Sequence, residues 1–428
     1  MKFQKIYTLV LLLGLALNAF AQNPKAESGL FALTNATIET VTNGTIENGT
    51  LIIQDGLIAE LGTDISIPEG AKTIDCTGLT LYPGMIDGGT RLGLSEIGSV
   101  PETNDYSDVG GINPQLKALT AVNPNSVAIP VTRTNGVTTV LTMPSGGLFP
   151  GTSALINLHG YTPKQMYADF EGIKLQFPRA GKRGRRDRRT PEEVEKEYKK
   201  SIKELDDFWT KAVDYAKIDS ATGKARYIPE LIALLPVVRK EAPLMVEVNA
   251  AKDIMKAIKW VEDKGINVIF TGVDEGWRVA DSLAAAKIPV ITGPVLTNPS
   301  RSSDRYDRPY ANAGLMLKAG VKVAIRTADT ENVRNLPFNA GFAAAYGMGK
   351  EEALKAVTIV PAEIFGVADK LGSLEKGKVA NLFAADGDPF ETKTQVKYLF
   401  IGGWKIPLVN RHTQLYDEFL ERDPGVKK

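Results

Sequence analysis

Two histidines, His159 and His412, and one cysteine, Cys76, are all that the 428-residue chain offers of imidazole and thiol side chains. Clusters of imidazoles and thiolates at fixed spacing are the sequence sign of a zinc-type centre. No multi-histidine or cysteine-rich centre can be assembled from these three residues, and a single cysteine excludes an intramolecular disulfide. Carboxylates remain as general acids, bases or ligands of hard cations, with guanidinium groups to pair with them. The densest cationic run, residues 179–189, holds Arg179, Lys182, Arg183, Arg185, Arg186, Arg188 and Arg189. Such a run suits an anion or partner contact; a solvated loop is the simpler reading.

Several elements must position whatever chemistry there is. Lys2 and Lys5 precede an apolar run, Ile6 to Leu17, and Ala19-Phe20-Ala21 then supplies small residues at −3 and −1 before Gln22. That is the plan of a secretory signal peptide over residues 1–21, so the mature protein is expected outside the cytoplasm, periplasmic or extracellular. The run is too short for a membrane span. Loss of Lys2 and Lys5 changes 51 basic against 50 acidic residues into 49 against 50, a net −1. A balance so close to neutral gives no reason to expect nucleic acid as a partner.

Residues 22–80 read as short strands with turns at Asn43-Gly44, Asn48-Gly49 and Asp55-Gly56. Residues 371–428 carry similar strands, 380–385 and 396–401, with a Gly402-Gly403 turn. One small β-domain assembled from both ends of the chain is expected. Between them the apolar strands 81–87, 137–143, 244–248, 267–271, 289–293 and 321–326 alternate with helical stretches such as 251–264, 277–286 and 313–319. That alternation predicts an α/β fold, a (β/α)8 TIM-like barrel over residues 81–370. A charged insertion, 179–225, interrupts it. There Thr190-Pro191-Glu192-Glu193 is a helix start with a capping box. The helix that follows places Val194, Tyr198, Ile202, Leu205, Trp209, Ala212 and Ala216 on one face.

Specific residues resemble a known family. Tyr82-Pro83-Gly84-Met85-Ile86-Asp87, the segments 131–144, 151–157 and 320–336, and above all residues 347–391 are similar to the amidohydrolase superfamily, nearest its imidazolonepropionase-like and prolidase-like branch. The resemblance covers nearly the whole mature chain outside the insertion. It implies a metal-dependent barrel joined to a composite β-sandwich. In that chemistry one or two divalent metals, held by histidines and carboxylates at the strand ends, activate a water that attacks an amide-like carbon. An aspartate after strand eight then moves the proton.

This sequence departs from the family's ligand pattern. The Asp-x-His-x-His of strand one is Asp87-Gly88-Gly89-Thr90-Arg91; Glu247 stands at the strand-five position and Thr271 at strand six. Asp329 matches the strand-eight aspartate. The expected site is therefore one without zinc or another divalent metal. Asp329 and Glu247 are its candidate catalytic carboxylates, and Arg91, Thr271 and Arg326 its candidate ligand-binding groups. Arg91 is expected to pair with Asp329, Glu247 or both, with Arg326 joining the cluster. Two alternatives stay open: a weakly held hard cation between Glu247 and Asp329, and an Arg91 that simply points into solvent. His159 and His412 match no ligand position and read as ordinary packed or surface residues.

Three functional classes follow: a carbon–nitrogen hydrolase as the family implies, a catalytically inactive relative that binds a small molecule or partners an active amidohydrolase, and an envelope-binding module. An oligomer, of one chain or with a related amidohydrolase, is implied by the resemblance.

Overall fold

The structure, a computed structural model, describes residues 25–182, 187–223 and 225–422. The expected signal peptide, residues 22–24 of the expected β-domain, and Arg183, Arg185 and Arg186 of the basic run lie outside the described residues. Sixteen strands fall into two sheets among the described residues. The first sheet takes β1 (Phe31–Glu39), β2 (Thr45–Gln54), β3 (Leu57–Gly62), β4 (Lys72–Asp75) and β5 (Thr80–Pro83) from one end of the chain. The second takes β6 (Met85–Thr90), β7 (Val137–Thr142), β8 (Gly151–Asn157), β9 (Tyr167–Gln176), β10 (Leu244–Val248), β11 (Val268–Gly272), β12 (Val290–Thr292) and β13 (Val323–Ile325). The chain then returns to the first sheet with β14 (Leu382–Ala385), β15 (Val396–Ile401) and β16 (Trp404–Lys405).

The first sheet runs β16-β15-β14-β5-β1-β2-β3, with β4 beside β1, so both chain ends do build one unit. Period-two patterning splits its burial between two cores. Leu382, Ala384 and Phe400 pack with Phe31, Leu33, Ile53 and Ile58, while Phe383, Ala385, Leu399 and Ile401 face the barrel. Each large apolar side chain removed from water contributes about 1.5–3 kcal/mol. The expected turn at Asn48-Gly49 is instead a bulge inside β2: Asn48 has φ 50°, and the pairing with β1 shifts register there. A Gly at position 49 fits because a Cβ would stand 2.7 Å from Ile38 Cδ1. The expected strand 81–87 is likewise divided, since residues 80–83 belong to the first sheet and the chain enters the barrel after Gly84.

Gly136 shows how tightly the two sheets meet. It has φ +81°, and a Cβ there would lie 2.7 Å from the Phe383 ring. Gly136→Ala is expected to destabilise the fold by about 1–3 kcal/mol, through overpacking and a left-handed backbone; urea unfolding checks it.

The second sheet is a nearly closed eight-stranded barrel, β6 to β13 in chain order, with the Ala328 N–H just past β13 donating to the Gly89 carbonyl of β6 at 3.0 Å across the seam. One feature departs from a plain (β/α)8 pattern. β8 runs antiparallel to both β7 and β9. Residues 143–150 and 158–166 are too few for the dozen or more that a parallel crossover requires, so these three strands form a meander. Elsewhere helices intervene as expected, such as Ala251–Lys264 and Arg308–Lys318, although the expected helix 277–286 is a 3-10 turn, Gly276–Arg278, followed by Ala280–Ala285. Inside the barrel Ile86, Leu141, Leu155, Phe170, Met245, Ile269, Ile291 and Ala324 form an apolar layer.

The helix Pro191–Thr222 begins with the anticipated capping box: the Thr190 hydroxyl accepts the Glu193 N–H (3.2 Å) and the Glu193 carboxylate accepts the Thr190 N–H (2.7 Å). Val194, Leu205, Trp209, Ala212 and Ala216 are buried, and Trp209 meets Trp260 edge-on. Among the described residues no helix is long and apolar enough to cross a membrane.

Candidate functional site

Two residues beyond the apolar layer, the same pleat parity turns a polar set into the barrel at the carboxyl ends of the parallel strands. Met245 is followed by Glu247, Ile269 by Thr271, and Ala324 by Arg326; β9 adds Lys174. Arg326 donates to Glu247 through both terminal nitrogens, Nη1 to Oε2 at 2.8 Å and Nη2 to Oε1 at 2.6 Å. The Thr271 hydroxyl donates to Oε2 at 2.8 Å, and Lys174 Nζ lies 3.6 Å from the same oxygen. All four side chains are buried. Burial alone would raise the Glu247 carboxyl, but Arg326 and Lys174 outweigh it and hold it well below the usual carboxylate range. The same burial lowers Lys174, while Glu247 more than offsets the burial of Arg326 and leaves that guanidinium raised. A bidentate pair with satisfied neighbours is the arrangement in which buried charges are tolerated.

Beside this cluster sits Asp87, fully buried. It accepts the Gly89 N–H at 2.9 Å, the Thr327 N–H at 3.2 Å and the Thr327 hydroxyl at 2.5 Å. Burial pushes its carboxyl up to about 6, against the pull of those hydrogen bonds and of Arg326. The neighbouring position is also filled. A Cβ on Gly89 would stand 2.6 Å from Met143 Sδ and 3.1 Å from Arg326 Cδ, so Arg326 and Met143 occupy the room that a side chain from β6 would take.

Of the five candidate residues, Glu247, Thr271 and Arg326 are brought together, and Arg91 and Asp329 are not. Arg91 lies one residue past the end of β6, exposed, with its guanidinium 4.3 Å from the centre of the Tyr106 ring. The arginine paired with Glu247 is thus Arg326, and the expected pairing of Arg91 is corrected. Asp329 turns its carboxylate onto its own loop: Oδ1 accepts the N–H groups of Thr330, Glu331 and Asn332 at 2.6, 3.1 and 3.2 Å. Its carbonyl accepts from the hydroxyl of Thr90, the last residue of β6, and from the N–H of Arg91 just past it. A cation shared by Glu247 and Asp329 finds no such pair here. Among the described residues no three histidine, cysteine or acidic side chains gather into a metal-sized group.

Sequence reasoning missed Lys174 and gave Asp87 no role. The signal for Lys174 was a lone cation between Ile173 and Leu175 in a strand. His159 packs against Trp404, ring centres 5.5 Å apart, and His412 is exposed on the last helix, Arg411–Glu421. In the basic run, Arg189 is held by Asp187, Nε to Oδ1 2.8 Å, and by Glu197.

Residues 80–406 match the sequence model described as the amidohydrolase family. Over 140 residues the chain is 31% identical to imidazolonepropionase of Mesorhizobium japonicum, covering 27% of this chain and 34% of that protein; the match spans about a third of that relative's length. Among solved structures, an amidohydrolase from Thermotoga maritima MSB8 is 27% identical with a TM-score of 0.77, covering 89% of this chain and 100% of that one. A prolidase complexed with N-methylphosphonate-L-proline, 15% identical with a TM-score of 0.55, covers 88% and 99% and shares the fold.

Proposed function

Because the chain belongs to the amidohydrolase family, we propose that it keeps that family's barrel mouth as a binding site for a small carbon–nitrogen compound of the amide type, with the Lys174–Glu247–Arg326 cluster standing where relatives place a divalent metal. The observation that carries this reading is the bidentate Arg326–Glu247 pair filling the space beside Gly89. Both oxygens of Glu247 are engaged, position 89 has no donor atom and no room for one, and two buried cations border the site. That donor set does not fit a divalent ion. Without a metal-activated water the nucleophile of the family's hydrolysis is lost, and acid–base assistance by itself supplies about 10²–10⁴-fold. The protein is therefore a catalytically reduced amidohydrolase, acting as a small-ligand binder or as the partner subunit of an active relative.

The N-terminal 21 residues support an exported protein cleaved near Ala21, and the family resemblance supports an oligomer. Metal analysis by mass spectrometry on protein purified without tag or chelator tests the reading. Substoichiometric zinc, manganese and iron is the expected result, together with an unfolding midpoint unmoved by chelator. About one ion per chain, lost together with turnover of an N-acyl amino acid on chelation, would overturn it.

A further inference from the structure

A groove lies at the end of the barrel opposite the Glu247 cluster. Because β8 runs against its neighbours, its last residue, Asn157, emerges at the amino ends of the parallel strands. There the hairpin of β15 and β16 reaches over from the first sheet and sets Trp404 between two clefts. One, of about 260 Å3, is bordered by Asn157, His159, Tyr161 and Gln165; the other, of about 460 Å3, by Ser28, Gln54 and Asp55. Gly402 and Trp404 line both, so the clefts meet at the indole. Their size is that of small-ligand sites, about 300–1,000 Å3.

Trp404 is held in place. Gly402 and Gly403, φ 59° and 75°, make the tight turn before it. The Gly402 N–H donates to Asn381 Oδ1 at 2.7 Å and the Gly403 N–H to the Ala380 carbonyl at 3.1 Å. A Cβ on Gly403 would stand 2.5 Å from Gly56 Cα, so the turn is seated on the Asp55-Gly56 turn. His159 packs on the indole, yet Trp404 remains 40% exposed and Tyr161 83%.

The polar groups along the groove are mostly neutral, with hydrogens to spare. Asn157 spends its side-chain oxygen on Thr139 and Asn381, and Gln165 spends its own on the Tyr161 N–H. Among the described residues, both amide NH2 groups and the Trp404 indole N–H are left without an acceptor. Neither cleft is lined by lysine or arginine, and Asp55 is the one carboxylate. Burial, with Arg133 nearby, lowers His159, which keeps the imidazole uncharged at neutral pH. Flat apolar faces flanked by unspent donors and one acceptor are complementary to a ring with C–H groups on its face and hydroxyls around its rim. An extended peptide would instead add to a sheet edge. The edge of β16 is already taken: the Glu27 N–H donates to the Lys405 carbonyl at 3.0 Å, and the Lys405 N–H to the Glu27 carbonyl at 2.8 Å.

We infer that this groove binds a neutral oligosaccharide, one sugar ring lying on Trp404 and the neighbouring units extending into the two clefts. The inference is independent of the metal-free reading of the central cluster: stoichiometric metal would sink that reading and leave this one standing.

Calorimetric titration of the purified full chain with maltohexaose, cellohexaose and chitohexaose, each against its own monosaccharide, tests it. At least one hexaose is expected to bind saturably with a Kd below about 1 mM, and at least about tenfold more tightly than its monosaccharide. Trp404→Ala should weaken that binding at least about tenfold, and Trp404→Phe, which keeps a flat apolar face, by less. Trp404 has no hydrogen-bonded side-chain partner to lose, so both variants should unfold near the wild-type midpoint, which separates lost binding from lost structure. No saturable binding of any hexaose, equal affinity for a hexaose and its monosaccharide, or binding unchanged by Trp404→Ala would overturn the proposal.

Discussion

Glu247→Ala is expected to destabilise the protein by about 3–5 kcal/mol, since it leaves Arg326 buried without its counter-ion and Lys174 without its one acidic neighbour. Chemical denaturation at neutral pH measures this. A loss below about 1 kcal/mol, the range of an exposed pair, would mean that water already screens the cluster. Replacing both partners, Glu247→Leu with Arg326→Met, should cost much less than the single change, because no charge is stranded. The pH dependence has a definite sign. The folded-state carboxyl is held far below its unfolded value of 4.5, so the contribution is complete above pH 4.5 and is lost as pH falls below it.

Asp87 works in the opposite direction. Its carboxyl rises from 3.8 to about 6 on folding, so the native state holds the proton more tightly than the unfolded chain. Stability from this group is greatest below pH 3.8, declines as pH rises towards 6, and is flat above. At ~1.4 kcal/mol per unit, the decline is about 3 kcal/mol. Asp87→Asn cannot titrate, so unfolding free energies measured from pH 4 to pH 7 should show the wild type losing about that much relative to the variant. Parallel curves for the two proteins would show that Asp87 is ionised throughout and that its Gly89 and Thr327 donors outweigh its burial.

Local chemistry was legible wherever local rules decided the outcome. The capping box at Thr190 and Glu193, the helix over 251–264 and the strand over 244–248 all follow from caps and periodicity, and the structure has each of them. Asn48-Gly49 carries the same left-handed preference as a hairpin turn, and only the partner strand turns it into a bulge. The third and fourth barrel strands escaped notice because the expected β-α alternation leaves no place for a meander.

At the site, residue type was readable and direction was not. Arg91 and Arg326 offer identical guanidinium groups, but Arg326 follows the inward Ala324 by two residues, whereas Arg91 stands past the rim. Asp329 has the chemistry of a catalytic acid, yet three backbone N–H groups of its own loop claim it first. Lys174 was hidden because a lysine in a strand ordinarily points to water.

The sheet built from both chain ends sets a timetable for the nascent protein. β5 lies between β1 and β14, and about 300 residues separate it from β14. At about 5–20 residues per second, roughly 15–60 s pass between the synthesis of β5 and that of its second neighbour. Throughout that interval one edge of β5 carries unpaired N–H and C=O groups beside an apolar face, an invitation to pair with another chain. A holding chaperone, or an export route that carries the chain unfolded, would bridge this wait.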